Sequence, residues 1–133
     1  MTHYSTDFSL PALATGLPSV QAALARAAGE IGLSEAVAAR LALIIEELYV
    51  NTITHGQCAD GSSAVDILLR RDADGVHLRY SDAAAAFDLA ALPCTPANDE
   101  PAVGGLGITL IHGLCRHVSA RHDDGRNIYE LVL

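Results

Sequence analysis

Apolar residues return along Val37, Leu41, Ile44 and Leu48 at the three- and four-residue spacing of one helix face, and Thr52 continues the series. A core-facing helix is therefore expected from the N-cap Ser34 to about His55, with Gly56 ending it. Along the edge of that face runs a polar series, Glu47, Asn51 and His55, each member about 6 Å further along the axis. A shorter stripe, Val20, Leu24, Ala27 and Ile31, predicts a helix over 19–31 with proline in its first turn and Gly32 as its break. Before it, Asp7 to Leu10 reads as a strand, and Pro11 to Pro18 as a connection.

The period then changes to two. Val65, Ile67 and Leu69 alternate with Asp66, Leu68 and Arg70, and Val76, Leu78 and Tyr80 repeat the pattern. Two strands, 64–71 and 75–81, are expected to form a hairpin at Asp72-Ala73-Asp74-Gly75. From Asp82 to Val103 the pattern dissolves, broken by a short helix expected over 87–92, and a connection of that length suits a lid or binding loop. After Gly104-Gly105-Leu106-Gly107 helical spacing returns with Ile108, Ile111, Leu114 and Cys115. A closing hairpin, 117–121 and 127–133, turns at Asp123-Asp124-Gly125 and offers Ile128, Leu131 and Val132 to the core. The order β, α, α, β, β, α, β, β predicts one domain over 1–133. Its class is an α/β two-layer sandwich, with a mixed but mostly antiparallel sheet of about five strands and about three helices on one face.

Composition narrows the functions open to such a domain. The chain has 133 residues, 50% hydrophobic, enough to bury about two thirds of its unfolded surface. A net charge of −8 argues against gripping nucleic-acid phosphates, which needs clustered Lys and Arg. The three cysteines, Cys58, Cys94 and Cys115, form no CxxC pair and suit a reducing compartment. His112, Cys115 and His117 lie close in sequence, but His117 is expected to leave the helix that carries the other two, so zinc is not expected. The first residues lack the basic-then-apolar pattern of a signal peptide, and no stretch reaches the length of a membrane span. A cytoplasmic protein without direct contact to nucleic acid or membrane is expected.

Three constellations carry chemistry. The Glu47 carboxylate can accept a proton, and the Asn51 amide oxygen one turn on can help hold a hard cation; the bland alternative is a solvated helix edge. Gly104, Gly105 and Gly107 leave backbone amides open where a helix begins, a place that favours anions. That turn is neither a P-loop nor a dinucleotide fingerprint, since no Lys-Ser or Lys-Thr follows and no suitable strand precedes. Asp82, at a strand end and followed by four alanines, can accept a hydrogen bond from a purine amine, although a lone Asp there is more often a turn former. Serine-nucleophile chemistry has no support, there being no GxSxG.

Taken in order, Glu47 with Asn51, then Asp82, a loose connection and GGLG opening a helix resemble the N, G1 and G2 boxes of the GHKL (Bergerat-fold) ATPase superfamily. Within it the chain is similar to the anti-sigma factor serine/threonine kinases. The segment from Leu41 to Gly56, the Phe87-Asp88 pair, the run from Gly107 to Ile111 and the Gly125-Arg126-Asn127 hairpin match that layout, and the resemblance spans about Phe8 to Leu133. It implies ATP and Mg²⁺ as cofactors, Glu47 as general base toward a partner's Ser or Thr hydroxyl, and Asn51 as a Mg²⁺ ligand. Asp82 would read the adenine amine. Gly104, Gly105, Leu106, Gly107 and Ile108 would hold the phosphates, and His55 would either touch the nucleotide or pack.

The implied partner is a STAS-domain anti-anti-sigma protein, with capture of a sigma factor and formation of a homodimer as further implications. The alternative is a non-catalytic partner-switching module of the same fold. Two departures bear on that choice. Ala84 stands where the family usually has glycine, which would cost about 1–2 kcal/mol if the backbone there were left-handed, roughly five- to thirty-fold in affinity. Thr54 and His112 stand where relatives commonly carry a basic residue.

Overall fold

The structure is a computed structural model of the chain and describes residues 4–55, 60–90 and 105–133, without the side chains of 55, 60 and 105–108. Its elements follow the expected order: β1 (Tyr4–Leu13), α1 (Leu17–Glu30), α2 (Glu35–His55), β2 (Asp60–Asp72), β3 (Gly75–Asp82), α3 (Gly105–Leu114), β4 (His117–Asp123) and β5 (Arg126–Val132). The strands form one sheet in the order β1-β2-β3-β5-β4, and every pair is antiparallel. The expected mixed character is thus absent from these five strands. A hairpin brings β5 back from β4 to lie beside β3, so the strand end at Asp82 sits next to the start of β5.

The apolar stripes read from the sequence build the core. On α1 Val20, Leu24 and Ala27, with Ile31 just past its end, are buried, and so are Leu41, Ile44, Ile45, Leu48 and Tyr49 on α2. Val65, Ile67, Leu69, Val76, Leu78 and Tyr80 meet them from the sheet, each large aliphatic contributing about 1.5–3 kcal/mol. Ser34 caps α2 through its Oγ, which accepts a 3.2 Å bond from Val37 N–H. Where β1 ends and α1 begins, the Tyr49 hydroxyl donates toward Leu13 O at 2.9 Å and receives Leu13 N–H at 2.9 Å. α1 and α3 both pack on α2, and Ile111 is the buried anchor of α3. Among the described residues no helix is long and apolar enough to cross a membrane.

The structure departs from expectation in three places. β1 continues through Pro11 to Leu13; as an edge strand it has no second neighbour that would need the missing proline N–H. β5 points Asn127, Tyr129 and Leu131 inward and leaves Ile128 and Val132 half-buried on the opposite face, so only Leu131 of the three expected core residues serves the core. Residues 87–90 are not helical: Asp88 Oδ1 accepts Ala90 N–H at 3.1 Å, a local turn that competes with a helix. The remaining two positions of that expected helix, and Gly56, lie outside the described residues.

Candidate functional site

The end of β3, the last turns of α2 and the first residues of β5 converge on one carboxylate. Asp82 is 2% exposed and Asn127, its partner in the strand register, 1%. Thr52, on the core face of α2, donates its hydroxyl to Asp82 Oδ2 at 2.6 Å. Its oxygen also lies 2.7 Å from the Tyr80 hydroxyl and 3.0 Å from Leu48 O. Thr52 has one proton, and the charged acceptor at the shorter distance takes it, so Tyr80 donates to Thr52 and Thr52 to Asp82. Burial, aided by the Asp82 charge, pushes the Tyr80 phenol well above its ordinary pKa, which keeps that donor protonated. Tyr129, its ring stacked 6.1 Å from that of Tyr80, is likewise pushed up by burial.

On its other oxygen Asp82 receives Asn127 Nδ2 at 2.9 Å and Ala84 N–H at 3.2 Å. A carboxylate has about four lone-pair sites. Among the described residues two donors fill Oδ1 and one serves Oδ2, which leaves one acceptor site on Oδ2 without a described donor. Ala84 does not carry the strain considered above. Asp124, with φ of 52°, is the non-glycine residue with positive φ among those described, so alanine sits at 84 without the left-handed penalty.

Thr52 is the link between this carboxylate and the polar edge of α2. Asn51 precedes it directly, and Glu47 lies one turn before Asn51; both side chains are half-buried. Cys115, one residue past the end of α3, is pushed up to about 11 by burial, partly offset by the charge of Arg40 near the start of α2. Gly105 opens α3, as the glycine-rich turn suggested. Gly104 lies outside the described residues, as do the side chains of His55, Leu106 and Ile108; Gly107 falls within the first turn of α3. His112 places Nε2 2.9 Å from Leu89 O, tying α3 to the segment after β3.

Residues 10–133 match the family model described as the histidine kinase-like ATPase domain. The chain belongs to that family. The ATPase domain is also similar in fold to two crystal structures. One holds the RsbU and RsbW domains of a Mycobacterium tuberculosis protein, with 18% identity and a TM-score of 0.68, covering 96% of this chain and 31% of the other. The second is the SiaB-SiaC complex from Pseudomonas aeruginosa, with 18% identity and a TM-score of 0.59, covering 95% of this chain and 87% of the other. The chain thus spans about a third of the mycobacterial chain. No curated protein matches it.

Two members of the ATPase domain's buried cluster were not singled out for chemistry by sequence reasoning. Thr52 was read as the last residue of an apolar stripe, and Asn127 as part of a hairpin. The signal for Thr52 was its position beside Asn51: a hydroxyl on the core face needs a buried partner. Asn127 gave a weaker one, a single amide at the start of a strand.

Proposed function

We propose that this chain binds ATP with Mg²⁺ in the cytoplasm and transfers the γ-phosphoryl group to a Ser or Thr hydroxyl of a STAS-domain partner. The observation that carries the reading is the 2.6 Å bond from Thr52 to Asp82. It couples the carboxylate that would read the base to the helix bearing Glu47 and Asn51. The acceptor site on Asp82 Oδ2 that no described donor fills suits an adenine amine.

Glu47 would accept the partner's hydroxyl proton as that oxygen attacks, and the amides of Gly104, Gly105 and Gly107 with the positive end of α3 would hold the phosphates. Asn51 supplies an amide oxygen, a ligand type that Mg²⁺ accepts, and the ion would neutralise charge on the phosphates. Homodimer formation and capture of a sigma factor belong to the same reading by likeness to the anti-sigma kinases.

The test is calorimetry with ATP and Mg²⁺, then transfer of labelled phosphate to a STAS-domain protein. No heat of binding at millimolar nucleotide would sink the proposal. Glu47→Ala should stop transfer and spare binding; loss of binding instead would mean that Glu47 has been given the wrong role. The rival, a partner-switching module without turnover, is favoured by one observation: His112, standing where relatives commonly carry a basic residue, is engaged by Leu89 O. Under that reading the partner binds and no label transfers.

A further inference from the structure

We infer that Asn127 is a positioning residue that sets base specificity, by holding Asp82 as a fixed acceptor and clasping the alanine run after it. The inference rests on the nucleotide reading above. Asn127 Nδ2 lies 2.9 Å from Asp82 Oδ1, 2.9 Å from Ala85 O and 3.2 Å from Ala84 O, and Oδ1 accepts Phe87 N–H at 3.1 Å. The surroundings dictate that orientation, because three acceptors face one end of the amide and a backbone donor faces the other. Two hydrogens serve three acceptors, so Ala84 O shares. The segment from Ala84 to Phe87 is neither helix nor strand, and this one side chain satisfies three of its backbone groups. An apolar residue opposite Asp82 would leave all three without that partner.

The consequence reaches the base. A purine amine donates and a keto oxygen accepts, so Asp82 discriminates between them only while its open oxygen keeps its place. Rotating about its last torsion would exchange its filled and open oxygens. The bond from Asn127 opposes that rotation, since it pins Oδ1. Thr52 pins Oδ2 from the other side. The ligand class is therefore a purine nucleotide with an exocyclic amine where adenine has one, and Asn127 acts on that choice through Asp82 without touching the base.

The experiment measures ATP and GTP affinity by calorimetry in the whole chain, with amide exchange followed by NMR. The wild type should prefer ATP. Asn127→Ala should weaken ATP about tenfold while moving GTP less than twofold, so that the ratio collapses by about tenfold. A merely structural asparagine would lower both affinities in parallel or leave both alone, and either result overturns the inference. Should the alanine variant not fold, Asn127→Thr carries the test. Its hydroxyl can serve Asp82 but cannot span to Ala85 and Phe87 together. The ATP preference should then stay within twofold of wild type while exchange at the Phe87 amide speeds up at least tenfold, and unchanged exchange overturns the clasp. Wild-type protein that binds neither nucleotide would overturn the parent reading, and this inference with it. Binding of ATP with an unaltered ratio would overturn this inference alone.

Discussion

At the scale of single residues, the hydroxyl of Thr52 matters more than its methyl. Thr52→Val keeps the shape but removes the donor to Asp82 and the acceptor for Tyr80, in a place where both are buried. Each orphaned group costs roughly 1–3 kcal/mol, so urea unfolding should show a loss of about 2–6 kcal/mol. Thr52→Ser keeps the relay and should lose less than about 1 kcal/mol. Equal losses in the two variants would show that packing, not the relay, accounts for the residue. Cys115 gives a pH prediction with a definite sign. Its thiol is held up at about 11 in the fold, against about 8.5 in an unfolded chain. The stability it contributes is complete below pH 8.5 and is lost as pH rises toward 11, because the unfolded state releases its proton first. Urea midpoints at pH 8 and pH 10.5 should therefore differ less in Cys115→Ala than in the wild type. The buried tyrosines, also raised, act from about pH 10 upward and remain in both proteins.

Among the elements, legibility follows from how many positions repeat a period. The stripe of α2 spans several turns, so its buried face was readable without tertiary information, and the same holds for the strict alternation of β2 and β3. β5 reads Arg-Asn-Ile-Tyr-Glu-Leu-Val, with apolar residues on both parities. What decides its register is Asp82 across the ladder, which gives Asn127 an inward partner. That partner is 45 residues away in sequence and leaves no local trace. For the same reason Glu47, Asn51 and Asp82 could be picked as candidates from type and spacing, whereas the bonds of Asn127 to Asp82 and to the segment after β3 could not. The junction of β1, α1 and α2 is a second long-range feature. A Cβ on Gly16 would run into the Tyr49 hydroxyl and come within 3.2 Å of Leu13 O. Gly16→Ala should then displace Tyr49 from Leu13 and destabilise the protein by about 1–3 kcal/mol. Comparable melting of Gly16→Ala and wild type would show that this corner can yield.

For the molecule as a whole, the proposed site links folding to nucleotide, and this linkage separates a domain that binds nucleotide from one that does not without needing a partner protein. A ligand that binds only the folded state stabilises it by about 2.7 kcal/mol when present at about a hundred times its dissociation constant. For a chain of 133 residues that corresponds to a rise in Tm of about 10 °C. ATP with Mg²⁺ should produce such a rise, and GTP at the same concentration a smaller one. Asp82→Ala should abolish the ATP effect, because the proposed acceptor for the base is gone. Its own melting point, taken without nucleotide, supplies the baseline that corrects for the Thr52 and Asn127 partners it orphans. Asn51→Ala should reduce the part of the shift that chelating the metal removes. Glu47→Ala should keep the full shift, since a general base acts on the acceptor's proton and not on the bound nucleotide. A domain that had kept the fold and lost the nucleotide would show no nucleotide-dependent shift across the whole set, while one that binds without turnover would reproduce every shift and fail only in phosphoryl transfer.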